Sequence, residues 1–379
     1  MSLQNGLTMR RLAKAGVATL LRRTRADGLL GALAGARGLP AVLGYHSVVE
    51  DVGAHAGRAL PGTMISRRML AHHLDWLGRH FRLVSLDELG ERLMGGNGGG
   101  RPLAAVTFDD GYRDVYAHAF PLLKEKGIPA AMFVITDLIG SAVIPVYDRL
   151  HLLLARAAAT GLPATRDLGG FLLGLGLALP EIAGLNGGAW DPVAATRLLL
   201  GTVPQDRLRQ VVEALEDHVE IDEPAFRAHL PLSWEMVAEM SRAGITIGSH
   251  TQTHAVLTLE SEARVQAELA GSRQALEHAL GVPIRHFAYP GGYFNRGVVR
   301  AAAAAGYRFG YTACRHRDAE HPLLTVPRTL LWETSSVDAR GGFSAAVMSC
   351  QIRGIFSPRC RIDHGAAGGW RLQAGAVLR

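Results

Sequence analysis

Asp109 and Asp110 stand side by side in Thr107-Phe108-Asp109-Asp110-Gly111, directly after the apolar run Leu103-Ala104-Ala105-Val106. The run reads as a short buried strand, and Gly111 ends it. Adjacent carboxylates disfavour each other's ionisation, so the pair needs a cation, a proton or an arginine beside it. A plainer reading has one Asp capping the next helix and the other solvated. A second pair, His250 and His254, follows the strand-like Ile245-Thr246-Ile247-Gly248-Ser249. At this spacing on one helical turn, two imidazoles point the same way and can bind one cation. The chain has 16 histidines, so the spacing alone is a weak signal. Its place at a strand end strengthens it, because parallel α/β folds build their sites on the rim where strands end. Two imidazoles and one carboxylate leave a tetrahedral cation an open position for water. The second carboxylate is then free to take a proton from that water, which is the pattern of a hydrolytic site.

The elements that must carry these residues alternate. Residues 40–45 read as the first core strand, with His46 at its end. Ser66 caps a helix to about 79, a short strand follows at 82–85, and a helix runs from 85 to 95. After the Asp pair come a helix over 115–126, ended by Gly127, and a strand over 130–135. Strand–helix–strand units with short loops mark parallel α/β architecture. Residues 138–231 break the rhythm. They are rich in Leu and Ala, with helical periodicity around 148–158, 192–201 and 205–219, and read as a helical insertion. No cluster of catalytic residue types at a recognisable spacing lies within it. The alternation then resumes, with strands at 245–249, 287–289, 309–312 and 323–331 between helices at 233–242, 260–280 and 297–305.

At 379 residues and 48% apolar content the chain can bury a large core. Its net charge of +6 favours anionic partners, such as a membrane surface or an anionic glycan. No Lys/Arg block is interleaved with aromatics, which argues against nucleic acid. Cys314, Cys350 and Cys360 have no CxxC spacing, so idle thiols in a reducing compartment are expected. Residues 1–38 form a basic helical segment whose apolar run, 15–21, is too short to span a membrane and makes a poor signal-peptide core. The segment suits a helix lying on a membrane surface and equally a helix packed on the domain. A cytoplasmic location, free or at the inner membrane face, is the expectation. The main domain is expected over 39–340, and 341–379 reads as a poorly patterned tail.

Thr-Phe-Asp-Asp-Gly, then Ser249-His250-Thr251-Gln252-Thr253-His254, then Phe287-Ala288-Tyr289-Pro290-Gly291-Gly292 resemble, in order and spacing, the successive motifs of polysaccharide deacetylases, the NodB-homology or carbohydrate esterase family 4 enzymes. The resemblance covers about 40–335 apart from the insertion. It implies an α/β fold, a distorted (β/α) barrel of about seven parallel strands, and metal-dependent removal of N- or O-acetyl groups from glycans. Asp109 would be the general base. Asp110, His250 and His254 would hold the metal, most often zinc, with Co²⁺ and Ni²⁺ also suited to the ligand set. The backbone from Tyr289 to Gly291 would offer an N–H to the tetrahedral oxyanion; Pro290 has none, which leaves Gly291.

Two departures stand out. The arginine that pairs with the base in many members has Ala288 at its matching position. Arg285 lies three residues earlier and is available, although a surface role suits it too. The late histidine that serves as general acid is absent from Val326-Pro327-Arg328-Thr329-Leu330. The early Tyr45-His46-Ser47 resembles the branch containing the poly-N-acetylglucosamine deacetylases, where this histidine is the acid. A histidine that only bonds loop backbone is the plainer reading of His46. Tyr112 and Trp332 are open between sugar stacking and packing, and Tyr116 reads as packing. The expected activity is deacetylation of N-acetylated amino sugars. The alternatives are deacylation of a lipid-linked sugar intermediate and a catalytically silent glycan-binding domain, against which the four intact site residues argue.

Overall fold

The computed structural model describes residues 3–33, 40–95 except 56 and 58, 100–161, 166–177, 190–221 and 229–356. Its strands, in chain order, are β1 (Ala41–Tyr45), β2 (Ser47–Val49), β3 (Met64–Ser66), β4 (Arg82–Leu83), β5 (Leu103–Phe108), β6 (Ala130–Val134), β7 (Thr246–Ser249), β8 (His286–Ala288), β9 (Phe309–Thr312), β10 (Val326–Pro327) and β11 (Thr329–Leu330). β5 and β6 are buried almost throughout and show no polar alternation. That is the mark of strands covered on both faces, as in parallel sheets. The main sheet runs β10-β9-β8-β7-β6-β5-β1-β11, with β4 added beside β5, and its pairings are parallel.

The two ends of that order are one piece of chain. β10 pairs with β9 and β11 with β1, and only Arg328 separates them. The Arg328 N–H still donates to Thr312 O at 2.8 Å, and the Leu331 N–H to Gly44 O at 2.8 Å. The sheet therefore curls to near closure as a barrel of seven staves, the last one split at Arg328. The expected strand over 323–331 is thus shorter and interrupted. Closure is tight: a Cβ on Gly44 would stand 2.5 Å from Leu330 Cδ2. Helices cover the outside, each started where the sequence offers a cap. Ser66, Ser233, Ser261 and Asn295 accept from the N–H three residues on.

The helices Val146–Thr160, Pro192–Thr202 and Gln205–Glu216 form the insertion and bury their own core, including Leu150, Leu153, Leu199, Val211 and Leu215. The helix Leu3–Arg23 packs Ala15 and Ala18 on Val347 and Cys350 of the helix Ala345–Ile352. The basic segment thus docks on the domain, and the stretch read as an unpatterned tail contains the helix it docks on. Leu12, Val17 and Leu20 stay exposed. No helix among the described residues is long and apolar enough to cross a membrane. Cys350 is a buried free thiol, whereas Cys314 is disulfide-bonded. The expectation of idle thiols therefore fails at Cys314; Cys360 lies outside the described residues.

His73 sits under the first strand, with its ring nitrogens against the Tyr45 hydroxyl and Ser336 Oγ. Burial, and then His72, push its pKa down to about 3. The unfolded chain binds a proton near pH 6.5 and the folded one does not, so this residue removes stability as pH falls between those values. The full effect is on the order of a few kcal/mol. NMR should show its ring protons unmoved between pH 5 and 8, and a midpoint near 6.5 would mean a wet pocket.

Candidate metal centre

Parallel strands bring their C-terminal ends to one rim. β5 delivers Asp109 and Asp110 there, β7 delivers His250, β1 delivers His46, and β8 leads into the Pro290–Gly292 turn. Asp110 and Gly111 both take left-handed backbone, at φ 72° and 73°. Gly111 adopts it without a Cβ clash; for Asp110 it is uncommon. The return of the insertion pins this bend. Leu232 N–H donates to Gly111 O and Arg113 N–H to Leu230 O, each at 2.8 Å.

The two histidines do not share a helical turn, contrary to the sequence expectation. Thr251 and His254 are left-handed, at φ 67° and 64°, and the segment is a tight loop. Non-glycine residues hold such a backbone only where their surroundings over-determine it. Here the buried Glu268 accepts from Gln252 N–H and Thr253 N–H at 2.9 Å each, and from the Thr253 hydroxyl at 2.6 Å. Thr251 Oγ1 accepts from His254 N–H at 3.0 Å. The loop brings both imidazoles onto one atom. Asp110 Oδ1 lies 3.4 Å from His250 Nε2 and 3.5 Å from His254 Nε2. His250 Nδ1 is 2.8 Å from Ala288 O, so that nitrogen carries the hydrogen and Nε2 presents a lone pair to the centre.

The set fits a divalent cation. One ligand atom from each of Asp110, His250 and His254 lies within 4.8 Å of the others. Asp110 Oδ1 is buried without a hydrogen-bond donor, a costly state that a cation relieves. Burial, then His250, lower the His254 pKa to about 4, so its lone pair is free at neutral pH. Burial also opposes charge on His250, but Asp109 and Asp110 outweigh it and raise its pKa. A proton and a cation therefore compete for the same place.

Asp109 is gripped from the barrel seam. Arg328 Nη1 and Nη2 donate to its Oδ1 and Oδ2 at 2.7 and 2.8 Å, and both side chains are buried. Such two-pronged pairs are strong and directional. Burial favours the neutral acid, but Arg328, then His250 and His46, outweigh it and hold Asp109 below the usual carboxylate range. His46 Nε2 lies 4.0 Å from Asp109 Oδ2, with 19% of its side chain exposed. Ser47 and the Val48 N–H bond the half-buried Asp114, which fixes β2 directly after His46.

Arg328 is the arginine that the sequence reading sought elsewhere. Arg285 is exposed and pairs with Asp87 at 3.5 Å, away from the carboxylate pair. The sequence carries only a faint signal for Arg328, a charge set among Val326, Leu330 and Leu331, and nothing local names Asp109 as its partner. Gly291 is exposed with φ 65°, and a Cβ there would stand 2.7 Å from the Tyr293 ring. The turn's backbone bonds, Gly292 N–H to Tyr289 O and Tyr293 N–H to Pro290 O, leave the Gly291 N–H unused. Tyr289 is different. It is buried, its N–H donates to Tyr311 O and its hydroxyl to Leu324 O, so it has no donor for a substrate. Tyr112 is also buried, its hydroxyl donating to Asp148 Oδ2 at 2.6 Å, and it offers no ring face to a sugar. Tyr116 stacks on Phe120 as packing, and the half-exposed Trp332 lies near Gly62. The insertion, read as lacking catalytic types, sends Tyr147 over His254, with ring centroids 4.5 Å apart.

A family model described as polysaccharide deacetylase matches residues 96–164 and 192–310; the gap between them falls inside the insertion. YxkH of Bacillus subtilis (strain 168), provisionally named a polysaccharide deacetylase, is 21% identical over 272 residues. The match covers 72% of this chain and 63% of YxkH, so this chain spans less than two thirds of that relative. Among solved structures, IcaB from Ammonifex degensii aligns with a TM-score of 0.51 and 21% identity, over 83% of this chain and 97% of that one. The deacetylase PplD of Streptococcus pyogenes, in complex with acetate, aligns with a TM-score of 0.49 and 17% identity, over 80% and 96%.

Proposed function

The chain belongs to the polysaccharide deacetylase family, and from that premise we propose that it is a metal-dependent hydrolase that removes acetyl groups from N-acetylated amino sugars of a glycan. The observation that carries this reading is Asp110 Oδ1, buried, without a donor, and 3.4 and 3.5 Å from two imidazole nitrogens beside a second carboxylate. Asp110, His250 and His254 would hold the ion, with Zn²⁺ first and Co²⁺ or Ni²⁺ as substitutes. When bound, the ion would polarise the acetyl carbonyl and acidify a water. The protein's own residues do the rest. Asp109, kept ionised by Arg328, takes the proton of the attacking water. The Gly291 N–H, unused in its turn, donates to the oxygen that gains charge. His46, within 4.0 Å of Asp109 and partly exposed, hands a proton to the leaving amine. The Tyr45-His46-Ser47 motif supports an exopolysaccharide-type substrate. The exposed Leu12, Val17 and Leu20, beside the exposed Arg22, Arg23 and Arg25, support peripheral contact with an anionic membrane surface.

The test is acetate release from N-acetylglucosamine oligomers, run beside O-acetyl and N-formyl analogues. Purified protein should release acetate, lose at least about 100-fold of its rate after chelation, and regain it with Zn²⁺, because the metal supplies several kcal/mol of transition-state stabilisation. Full activity after rigorous demetallation would overturn the reading, as would binding of the oligomer with no release.

A further inference from the structure

We infer that the helical insertion is a working part of the metal centre, because Tyr147 and Gln205 position the second imidazole, His254. The inference rests on the metal-dependent reading above. His254 holds a left-handed backbone at φ 64°, and such a residue needs contacts that leave it no alternative. The barrel supplies some of them through Glu268. The insertion supplies the others.

Gln205 opens the helix Gln205–Glu216, and its Nε2 donates to Thr253 O at 2.7 Å, one residue before the imidazole. Gln205 is buried and is itself fixed, since its N–H donates to Glu260 Oε1 at 2.7 Å. Tyr147, in the first turn of the helix Val146–Thr160, lays its ring against His254 at 48°. The ring cannot swing away freely. The Tyr147 and Tyr112 hydroxyls are 2.8 Å apart, and Tyr112 donates to Asp148 on Tyr147's own helix. His229, on the returning chain, lies 3.3 Å from the same Asp148 carboxylate. An insertion that merely decorated the fold would end at the surface. This one delivers two buried groups to the ligand loop and anchors one of them through a chain of hydrogen bonds. Groups that orient a metal ligand without touching the ion typically change affinity by 10–100-fold when lost.

The experiment uses the full chain, stripped of metal and titrated with Zn²⁺ against a chromophoric chelator, with kcat and KM measured in parallel. Tyr147→Ala and Gln205→Ala should each weaken Zn²⁺ binding by about 10–100-fold and lower kcat with KM within about twofold, while the melting of the metal-free protein stays cooperative. Tyr147→Phe, which keeps the ring but not its anchor, should fall between. Leu173→Ser, on an exposed part of the same insertion, should change neither quantity. If Tyr147→Ala does not fold, Gln205→Glu decides on the same readout, being of equal shape and unable to donate. Zn²⁺ affinity within about twofold of wild type in the folded variants overturns the inference alone. A wild-type chain that takes up no Zn²⁺ overturns the metal-dependent reading and the inference with it.

Discussion

Asp109→Asn is expected to lower kcat for acetate release by about 10²- to 10⁴-fold, the usual contribution of a general base, and to leave Zn²⁺ uptake intact. The two halves of that result test different things. Asp109 is not among the three atoms that converge, since those come from Asp110, His250 and His254. The amide keeps the shape of the carboxylate but cannot accept a proton at working pH. Asp110→Asn should do the opposite first, by removing the negative charge that both imidazoles face. Steady-state rates beside chelator-competition titrations of the two variants separate the roles. An Asp109→Asn enzyme with more than a tenth of wild-type kcat would remove this residue as the base.

Arg328→Met should weaken both the fold and the chemistry. The guanidinium and the Asp109 carboxylate are each almost wholly buried, and removing one partner of such a pair typically costs 3–5 kcal/mol. The pH dependence has a definite sign. In the wild type Asp109 is held below its ordinary pKa, so it adds stability above the unfolded value and loses it as pH falls through the folded one. Without the guanidinium, burial dominates and the pKa rises. The variant then loses stability as pH rises, so its melting temperature should drop further at pH 8 than at pH 5. Its base is also protonated over a wider range, so the acid limb of its rate profile should move to higher pH. Melts at the two pH values and a rate profile check both. A variant that melts like wild type and keeps its acid limb would show that the ion pair contributes neither.

Much of this was readable because it is local. The Asp pair ends an apolar run, the histidine pair ends another, and Ser66 announces the helix it caps. What escaped depends on contacts made across the molecule. Arg328 looks like any arginine between two strand residues until the barrel curls and sets it against Asp109, 219 positions away. Arg285 was a reasonable substitute by motif distance, yet it stands just before β8, exposed and paired with Asp87. The His-x-x-x-His spacing suggested a helix because nothing in Thr251 or His254 announces left-handed backbone; that geometry is imposed by Glu268 and its neighbours. Tyr112 drew attention as an aromatic beside a motif and Tyr289 as backbone that could offer an N–H, and only packing reveals that the Tyr112 hydroxyl faces inward and that Tyr311 O already takes the Tyr289 N–H. The insertion's part is hardest to see, since Gln205 reaches the ligand loop 48 positions further on.

The seam at Arg328 bears on how the protein comes to life on the ribosome. The other candidate site side chains emerge before it: the acids, the imidazoles and the early histidine all precede residue 328. Until the seam follows, the wall is open and Asp109 lacks its counter-ion. A half-made polypeptide therefore has an open barrel and an unpaired Asp109, and the stroke that completes the architecture also completes the buried ion pair.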